Sequence, residues 1–474
     1  MRLKNTLLPL LALFALALVV AATTLLPRVL GVTRILAAVG CNQTFGGYEP
    51  WDTLVERDLS VLGDLDPYVS LRPDSADRSV SGRLLGIPVT TAVYHPGYGC
   101  VSADSPGDKL AKHRAKEGEG MPLARAETGF PRLNAFIRDE FEKYGDETSN
   151  GVNHRAFVVL HRGKIIAEHY APPIGPATRF ASQSMAKSVN ALLWAAADMR
   201  GLLDLDGPVA APEWDASDPR QAISNRHLLD MVSGLDFDEN YEMDLFSQFF
   251  DMILSGDLGH FAANLKLVHT PGDRWYYSTA DANLSGRTLG FKLAERGYSV
   301  HRFADEALFR HIAADPVELQ IDNAGSFWAG SAVHMTTLDW ARLGQLVLDG
   351  GAYRGEQLLP AEFLEELAVP LPQSRGWYRS SMWLNRSLDF GEERQLAPGL
   401  PDDTVSFSGF QGQKVHIIPS KDMVIVRFGR TDGEGGSDVY KRLIADAYEL
   451  TLEEAASAPL DVAGEVAEGS PDAR

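Results

Sequence analysis

The chain of 474 residues has few cysteines and few basic residues. It contains only Cys41 and Cys100, which are too few for a multi-cysteine zinc or iron–sulfur site. Its 44 Lys and Arg residues stand against 64 Asp and Glu, a net charge of −20, whereas sequence-independent nucleic-acid binding depends on basic side chains that neutralise phosphates. The H-E-x-x-H zinc signature, the G-x-S-x-G nucleophile elbow and the Walker A phosphate loop are missing as well. We therefore predict no metal, no cofactor and no nucleic-acid partner.

Long apolar runs are also scarce, and residues 5–27 form the one stretch suited to crossing a bilayer. This stretch carries no charge and lies between Arg2 and Lys4 on one side and Arg28 on the other. About 20 apolar residues span the hydrocarbon core as a helix, and a basic start before an apolar run is also typical of a secretory signal. Because the run is longer than a signal core, we predict an uncleaved signal anchor over residues 1–30, with a cleaved signal as the alternative.

The charges that flank this apolar run indicate on which side of the membrane the rest of the chain lies. By the positive-inside rule, they favour a membrane-anchored protein whose main domain lies outside the cytoplasm, in a periplasmic or extracellular space. Such a compartment is oxidising, so Cys41 and Cys100 could pair there in a disulfide. Two free thiols are the alternative.

Composition and periodicity divide the remaining chain into three parts. Residues 31–124 are rich in Gly, Pro and Asp and are predicted to form an irregular extension. Residues 125–454 begin with a strand hairpin, continue through a helical region at about 205–400 and end in strands and a helix. This order predicts an α+β domain with a sheet built from both ends and a helical lobe inserted between them. The tail, 455–474, has few large apolar residues and is predicted to be disordered.

The sharpest chemical motif is S-x-x-K, formed by Ser184 and Lys187 near the start of the predicted helix at 182–199. Residues three apart lie on one face of a helix, and the macrodipole at a helix N-terminus favours developing negative charge. A neighbouring lysine can then hold or accept the serine proton. A solvated Ser–Lys pair is the alternative, but the apolar residues between Val189 and Trp194 favour a buried lysine.

A second motif, the sequence PGDRWYYS at 271–278, contains Tyr277. A tyrosine hydroxyl becomes a useful base only where nearby cations lower its pKa, and Lys187 is a candidate for that cation. Tyr277 could equally be a core or surface aromatic. Trp275, Trp328 and Trp383 are likewise open to a role in a pocket or in core packing.

A third motif, the sequence SGFQGQ at 408–413, enters a predicted strand. Glycines at the start of a strand let a ligand approach the backbone closely. Backbone N–H groups at such a place can also stabilise an oxyanion. A simple turn before a strand is the alternative.

The order and spacing of the three motifs resemble those of the serine β-lactamase and penicillin-binding superfamily. The closest resemblance is to the class C β-lactamase-like serine hydrolases, which include 6-aminohexanoate-dimer hydrolases and esterases. It covers about 125–450 and implies an antiparallel sheet flanked by helices. The segment 91–99 also resembles the N-terminal extension of membrane-anchored members of this group. The supporting segments are HRGK (161–164), GLLDLDGPV (201–209), MVSGLDF (231–237) and WARLGQLVLDGG (340–351).

The resemblance implies a mechanism with three catalytic side chains. Ser184 would be the nucleophile that forms an acyl-enzyme with a small-molecule amide or ester. Lys187 and Tyr277 would activate Ser184 and later protonate the leaving group. The backbone N–H groups of Ser184 and Gln413 would form the oxyanion hole, and water would then release the acyl group.

Two departures from the family pattern concern substrate recognition. Members that act on β-lactams or peptides commonly have Tyr-x-Asn, where this chain has Thr279 in the third position. They also commonly have Lys-Thr-Gly, or His in place of Lys, where the predicted substrate-binding segment here is Phe410, Gln411 and Gly412. Because a cation is missing at Phe410, we predict a neutral or linear amide or ester as the substrate. Two alternatives stay open: a slowly acylating or non-hydrolytic penicillin-binding sensor module, and a D-Ala-D-Ala carboxypeptidase or β-lactamase.

Overall fold

The computed structural model describes residues 21–47, 51–52, 54, 68–103, 120–126, 129–145, 151–240, 246–386 and 395–457. Its strands are β1 (Val69–Asp74), β2 (Ser79–Leu84), β3 (Ile87–His95), β4 (Gly99–Ser102), β5 (Ala124–Arg125), β6 (Val152–His161), β7 (Lys164–Tyr170), β8 (Arg179–Ala181), β9 (Glu318–Leu319), β10 (Val333–Thr336), β11 (Ala352–Tyr353), β12 (Glu356–Gln357), β13 (Tyr378–Arg379), β14 (Met382–Leu384), β15 (Val405–Gly409), β16 (Gln413–Ile418) and β17 (Met423–Thr431). Its α-helices are α1 (Leu26–Cys41), α2 (Pro131–Tyr144), α3 (Met185–Met199), α4 (Asn225–Leu229), α5 (Gln248–Ser255), α6 (Leu258–Ala263), α7 (Thr279–Ala294), α8 (Val300–Ala304), α9 (Arg310–Ile312), α10 (Thr337–Leu348), α11 (Ala361–Glu366) and α12 (Gly433–Ser457).

An eight-stranded sheet forms the centre of the molecule, in the order β13-β14-β15-β16-β17-β6-β7-β5. Neighbouring strands are antiparallel except β5 and β7. The early hairpin β6–β7 turns at Arg162 and Gly163, whose φ angles of 52° and 69° are those that a type I′ turn requires. The late strand β17 pairs with β6, so the sheet joins both ends of the domain. This confirms the predicted α+β class with an antiparallel sheet.

Helices cover both faces of this sheet. On one face, Ile137 of α2 and Leu443 of α12 share a core with Phe157 of β6. On the other face, Val158 of β6 lies in the core that contains α3 and Trp340 of α10. Phe157 and Val158 are neighbours that belong to different cores because successive side chains of a strand point to opposite faces. Nearly every side chain of α3 is buried, so this helix is held between the sheet and the helices beyond it.

The helical lobe has a core of its own. It contains Trp214, Leu228 of α4, Met252 of α5 and Leu284 of α7. The region predicted as this lobe, about 205–400, also supplies parts of the sheet layer, because β13 and β14 extend the central sheet and α10 packs on β16 and β17. Helical periodicity indicates that a helix has an apolar face, but it does not tell which core buries that face.

The extension at 31–124 contains regular structure, and its prediction as irregular was wrong. Helix α1 packs on a four-stranded antiparallel sheet, β1-β2-β3-β4. Leu85 and Gly86 join β2 to β3 with φ angles of 51° and 78°. The Gly, Pro and Asp residues suggested loops because these strands are joined by tight turns, where such residues concentrate. A disulfide between Cys41 and Cys100 links the end of α1 to β4.

Polar contacts dock the extension on the rest of the molecule. The Asn42 amide donates a hydrogen bond to Gln320 Oε1 at 3.0 Å. Beside it, the buried carboxylate of Glu318 accepts hydrogen bonds from the Tyr94 hydroxyl and, at 2.9 Å, from the Arg179 guanidinium. Since Arg179 lies in β8 and Glu318 in β9, the extension rests on the small sheet β8-β10-β9, next to the start of α3.

The helix Thr23–Gly46 is long and apolar enough to cross a membrane, judged by length and composition alone. Its α1 portion packs on β1 to β4. Of the predicted anchor at 1–30, residues 1–20 lie outside the described residues. The predicted tail lies outside them from residue 458 onward, whereas residues 455–457 are the last turn of α12.

Removal of the disulfide is expected to destabilise the extension. The bridge joins residues 59 positions apart, and loss of such a crosslink costs roughly 2–4 kcal/mol of unfolding free energy. A Cys41→Ser/Cys100→Ser variant should therefore show an unfolding transition at lower temperature than the parent in scanning calorimetry. A reductant should lower the same transition in the parent and leave the variant unchanged. A parent whose transitions do not respond to reductant would contradict this expectation.

Candidate active site

The turn before α3 presents Ser184 at the N-terminal end of the central helix. Ser184 is the N-cap residue, with φ −61° and ψ −7°, and Gln183 before it adopts a left-handed φ of 49°. Ser182 anchors the turn, because its hydroxyl lies 3.1 Å from the Ser331 carbonyl and accepts the Val333 N–H at 3.0 Å. The first N–H groups of a helix lack partners within the helix, so the positive end of the α3 dipole lies at Ser184, the predicted nucleophile. We call the turn at 182–184 the nucleophile turn.

Lys187 lies one turn further along the same helix face. Its Nζ is 3.0 Å from Ser184 Oγ and 2.8 Å from the Gly330 carbonyl oxygen. The residue is 1% exposed. Burial lowers the pKa of Lys187 to about 8, although the Glu239 carboxylate acts in the opposite direction. A neutral amine at this place can accept the Ser184 proton while it donates a hydrogen bond to Gly330.

Tyr277 lies against the same lysine. Lys187 Nζ is 4.9 Å from the centroid of the Tyr277 ring, which is within cation–π range. The ring also packs on Tyr378 and Trp383, at centroid distances of 6.0 and 5.3 Å, and Trp275 contacts Trp383 at 6.2 Å. The structure thus brings the three predicted catalytic side chains together and surrounds the tyrosine with aromatic rings.

Sequence reasoning missed Glu239, a half-buried carboxylate beside these residues. It accepts the Thr279 N–H at 2.6 Å and also binds the Thr279 hydroxyl. Thr279 begins α7 two residues after Tyr277. It also lies close to Gly330, because a Cβ added at Gly330 would be 2.6 Å from the Thr279 methyl group. Burial raises the pKa of Glu239, whereas the nearby Lys187 lowers it. A single glutamate in a loop carries no motif, so only the folded arrangement reveals it.

The end of β15 reaches the nucleophile turn at Gly409. A Cβ added there would lie 2.5 Å from the Ser182 carbonyl oxygen and 3.1 Å from Gln183 Cβ. Glycine is therefore the residue that lets the strand end and the turn approach this closely. The glycine-rich motif recognised in the sequence lies beside Ser184 for this reason.

Gln413 lies opposite Gly409 at the start of β16. Its side chain is engaged within the sheet, since Nε2 donates to the Gly429 carbonyl at 2.6 Å and Oε1 accepts the Gly429 N–H at 3.0 Å. Both Gln413 and Gln183 line a small cleft of about 50 Å³. The direct contact with the nucleophile turn is made by Gly409, and the role of the Gln413 N–H in an oxyanion hole stays a prediction.

The turn between β15 and β16 holds the predicted substrate-binding residues. Phe410 is 54% exposed, and Gln411 and Gly412 adopt left-handed φ angles of 58° and 80°. Beneath the turn, the buried Arg427 donates to the carbonyl oxygens of Gln411 and Gly412 at 3.0 and 2.9 Å. Burial lowers the pKa of Arg427 to about 9. This arginine, which the sequence did not single out, holds the shape of the turn.

These side chains can perform proton transfer around a nucleophilic hydroxyl. An amine of lowered pKa contacts both Ser184 Oγ and the Tyr277 ring, which is the arrangement that activates a serine for covalent catalysis. Within the ranges that the structure describes, no group of three or more His, Cys, Asp or Glu side chains is placed to hold a metal ion.

A protein-family model described as Beta-lactamase matches residues 138–449, more than half of the chain. The chain belongs to the beta-lactamase family. The match begins within α2 and ends within α12, so it includes the predicted catalytic residues Ser184, Lys187 and Tyr277. It leaves the extension, with α1 and β1 to β4, outside.

Individual relatives of this beta-lactamase family member agree with that assignment. A 6-aminohexanoate-dimer hydrolase from Paenarthrobacter ureafaciens is 24% identical over 352 residues, which are 66% of this chain and 83% of that protein. A solved structure from Bacillus anthracis, provisionally assigned as a 6-aminohexanoate-dimer hydrolase, has a TM-score of 0.57 at 19% identity and covers 72% of this chain and 91% of that one. EstCE1, described as a hydrolase with promiscuous acyltransferase activity, has a TM-score of 0.51 at 15% identity over 67% of this chain and 98% of that one. The predicted family and fold are confirmed.

Gly409→Ala is expected to displace the strand end from the nucleophile turn. Because the added methyl group would overlap the Ser182 carbonyl, the two segments must separate, and a displacement of about 1 Å at such a site costs on the order of 10- to 100-fold in rate. The measurement is the rate at which a fluorophosphonate labels Ser184. Gly175→Ala is the matched control, since a Cβ there meets nothing within 4 Å. Equal labelling rates in both variants would refute the close-approach argument.

Proposed function

We propose that this member of the beta-lactamase family is a serine hydrolase that cleaves an amide or ester bond through an acyl-enzyme on Ser184. The observation that carries the proposal is the 3.0 Å contact between Lys187 Nζ and Ser184 Oγ in a buried setting. Burial lowers the pKa of Lys187 to about 8, so a usable fraction of the amine is neutral near that pH. A serine hydroxyl needs such a proton acceptor to become a nucleophile.

In the proposed reaction, Ser184 Oγ attacks the substrate carbonyl carbon while its proton passes to the Lys187–Tyr277 pair. The carbonyl oxygen becomes an oxyanion, the tetrahedral intermediate collapses, and the same pair returns the proton to the departing amine or alcohol. A water molecule then attacks the acyl-enzyme and gives a proton to the pair, and the pair returns that proton to Ser184 Oγ as the acid product leaves. Proton transfer in both directions requires a group whose pKa lies near the working pH, as that of Lys187 does.

The oxyanion would be stabilised at the meeting point of α3 and β15. The Ser184 N–H lies at the positive end of the α3 dipole, where the first backbone N–H groups lack helical partners. The second donor would come from the strand-end turn, where Gly409 touches the nucleophile turn and Gln413 pairs with Gly409. Backbone donors held in this way need no reorganisation as charge develops.

The charges at the site favour a neutral substrate. The Glu239 carboxylate lies on Thr279, the residue that replaces the asparagine of the Tyr-x-Asn pattern, and Phe410 stands where a cation is common. A carboxylate close to the reacting groups opposes the binding of an anionic substrate. This argues against β-lactams and D-Ala-D-Ala peptides, both of which carry a carboxylate.

We place the catalytic domain outside the cytoplasm, held at a membrane by the N-terminal helix. Two observations support this placement. The uncharged apolar run at residues 5–27 is long enough to span a bilayer, and it precedes the part of α1 that packs on β1 to β4. The Cys41–Cys100 disulfide fits an oxidising compartment.

A slowly acylating sensor on the same fold is the second candidate, and the Thr279 and Phe410 departures favour it. Turnover separates the two functions. Release of product from p-nitrophenyl esters or 6-aminohexanoate oligomers identifies a hydrolase. A lasting adduct with fluorescent penicillin, without turnover of either substrate, identifies a sensor.

Ser184→Ala is expected to abolish covalent labelling by a fluorophosphonate, because the attacking oxygen is removed. The full chain should be labelled once, and the label should map to Ser184 by mass spectrometry. Ser217→Ala, which removes an exposed hydroxyl in the helical lobe, is the matched control and should be labelled like the parent. A parent that takes up no label, or a label that persists in Ser184→Ala, would remove the basis of the proposal.

Glu239→Gln is expected to shift the pH dependence of kcat/KM to lower pH. In the parent, kcat/KM should decline below about pH 8, by up to about tenfold per pH unit, because protonated Lys187 cannot accept the serine proton. The Glu239 carboxylate raises the pKa of Lys187, so its removal should leave the amine neutral at lower pH. Glu295→Gln, an exposed charge change at the end of α7, should leave the profile in place. A parent profile that is flat from pH 6 to 9, or an unmoved acid limb in Glu239→Gln, would count against the role of Lys187.

A further inference from the structure

A cavity of about 270 Å³ lies between the extension and the sheet domain. Helix α1 forms one wall with Ile35 and Ala38, and the facing wall includes Ile253 of α5, Trp328 and Ala332. Its volume is close to the lower end of the range for small-molecule pockets. Because α1 lies outside the part of the chain that matches the family model, this cavity is a feature that the extension adds.

The cavity reaches the backbone that carries the catalytic groups. Gln183 and Ser331 both line it. Gln183 directly precedes Ser184, and Ser331 directly follows Gly330, whose carbonyl accepts a hydrogen bond from Lys187 at 2.8 Å. One end of the cavity is therefore lined by the residues next in sequence to Ser184 and to Gly330.

Three polar side chains on the cavity wall, those of Asn42, Gln320 and Asp322, are bonded to the protein itself. Asn42 and Gln320 bind each other at 3.0 Å, Asn42 Oδ1 accepts the Cys100 N–H at 2.7 Å, and Gln320 Nε2 donates to the Cys100 carbonyl at 3.1 Å. Asp322 accepts the Leu258 N–H at 3.1 Å. Gln43, whose Oε1 is buried without a hydrogen-bond partner, and Arg34 are further polar residues of the wall, beside its aliphatic and aromatic side chains. Such a wall favours an occupant that is mainly apolar.

We propose that this cavity holds the unbranched hydrocarbon chain of the substrate's acyl group. The inference rests on the proposed serine hydrolase function and names its substrate class, an ester or amide of a medium-chain fatty acid. Because Gln183 and Ser331 are the chain neighbours of Ser184 and Gly330, the proposal directs a chain attached to the acyl carbon on Ser184 toward this end of the cavity. Each methylene moved from water into such a space contributes about fourfold in binding.

The test compares p-nitrophenyl acetate, hexanoate and octanoate on the full chain and on Ala38→Phe, which fills the cavity from α1. In the parent, kcat/KM should rise at least tenfold from acetate to octanoate. In Ala38→Phe, kcat/KM for octanoate should fall at least tenfold while that for acetate stays within twofold. Val89→Phe adds the same kind of bulk to an exposed position of the extension and should behave like the parent. If Ala38→Phe does not fold, Ile253→Phe fills the cavity from the opposite wall.

Equal activity on acetate and octanoate in the parent, or equal loss of both in Ala38→Phe, would overturn the proposal. Faster hydrolysis of 6-aminohexanoyl p-nitroanilide than of hexanoyl p-nitroanilide would also overturn the proposal, because a terminal ammonium does not suit an apolar cavity. Calorimetric titration of octanamide into Ser184→Ala measures binding to the cavity without any turnover, so it tests the cavity independently of the proposed function. Binding that is lost when Ala38→Phe is added supports the cavity even if the parent hydrolyses nothing, and an absence of octanamide binding refutes the cavity even if the parent is an active hydrolase.

Discussion

The buried amine of Lys187 is the group around which the active site is organised. An ammonium is costly to hold in an apolar interior, and the cost shows as a lowered pKa. The fold reduces that cost with the Ser184 hydroxyl and the Gly330 carbonyl as partners, and with the Tyr277 ring and the Glu239 carboxylate nearby. These groups come from α3, the loop before β10, the segment before α7 and the helical lobe. The position of one amine therefore constrains how the sheet layer and the helical lobe meet.

The sheet contributes by delivering one strand end to the nucleophile. Gly409 lets β15 touch the turn at Ser182 and Gln183, and Arg427 holds the following turn through two carbonyl oxygens. Arg427 is fully buried, so its guanidinium donates hydrogen bonds to these backbone carbonyls and not to solvent. The shape of the predicted substrate-binding turn thus depends on a cation placed beneath it in β17.

The extension changes what the family fold offers to a substrate. It lies outside the matched region, yet α1 and its disulfide-linked sheet rest on β8, β9 and β10 beside the start of α3. Hydrogen bonds such as that of Asn42 with Gln320 join the two parts at this junction. The cavity left between the two parts has a wall, formed by α1, that the matched region alone does not have.

Local patterns in the sequence were enough to predict the class of fold and to single out Ser184, Lys187 and Tyr277, which the structure brings together. Ser184 and Lys187 are three residues apart on one helix, the β6–β7 turn has its Arg-Gly pair, and the final strands have a period of two, so each depends only on neighbours along the chain. The extension was predicted as irregular because Gly, Pro and Asp residues concentrate in the turns between its strands. Residues 1–20 and 458–474 lie outside the described structure. Glu239, Arg427 and the cavity beside α1 were not foreseen. They arise from side chains that are distant in sequence and meet only when the cores close, and no pattern of neighbouring residues encodes such a meeting.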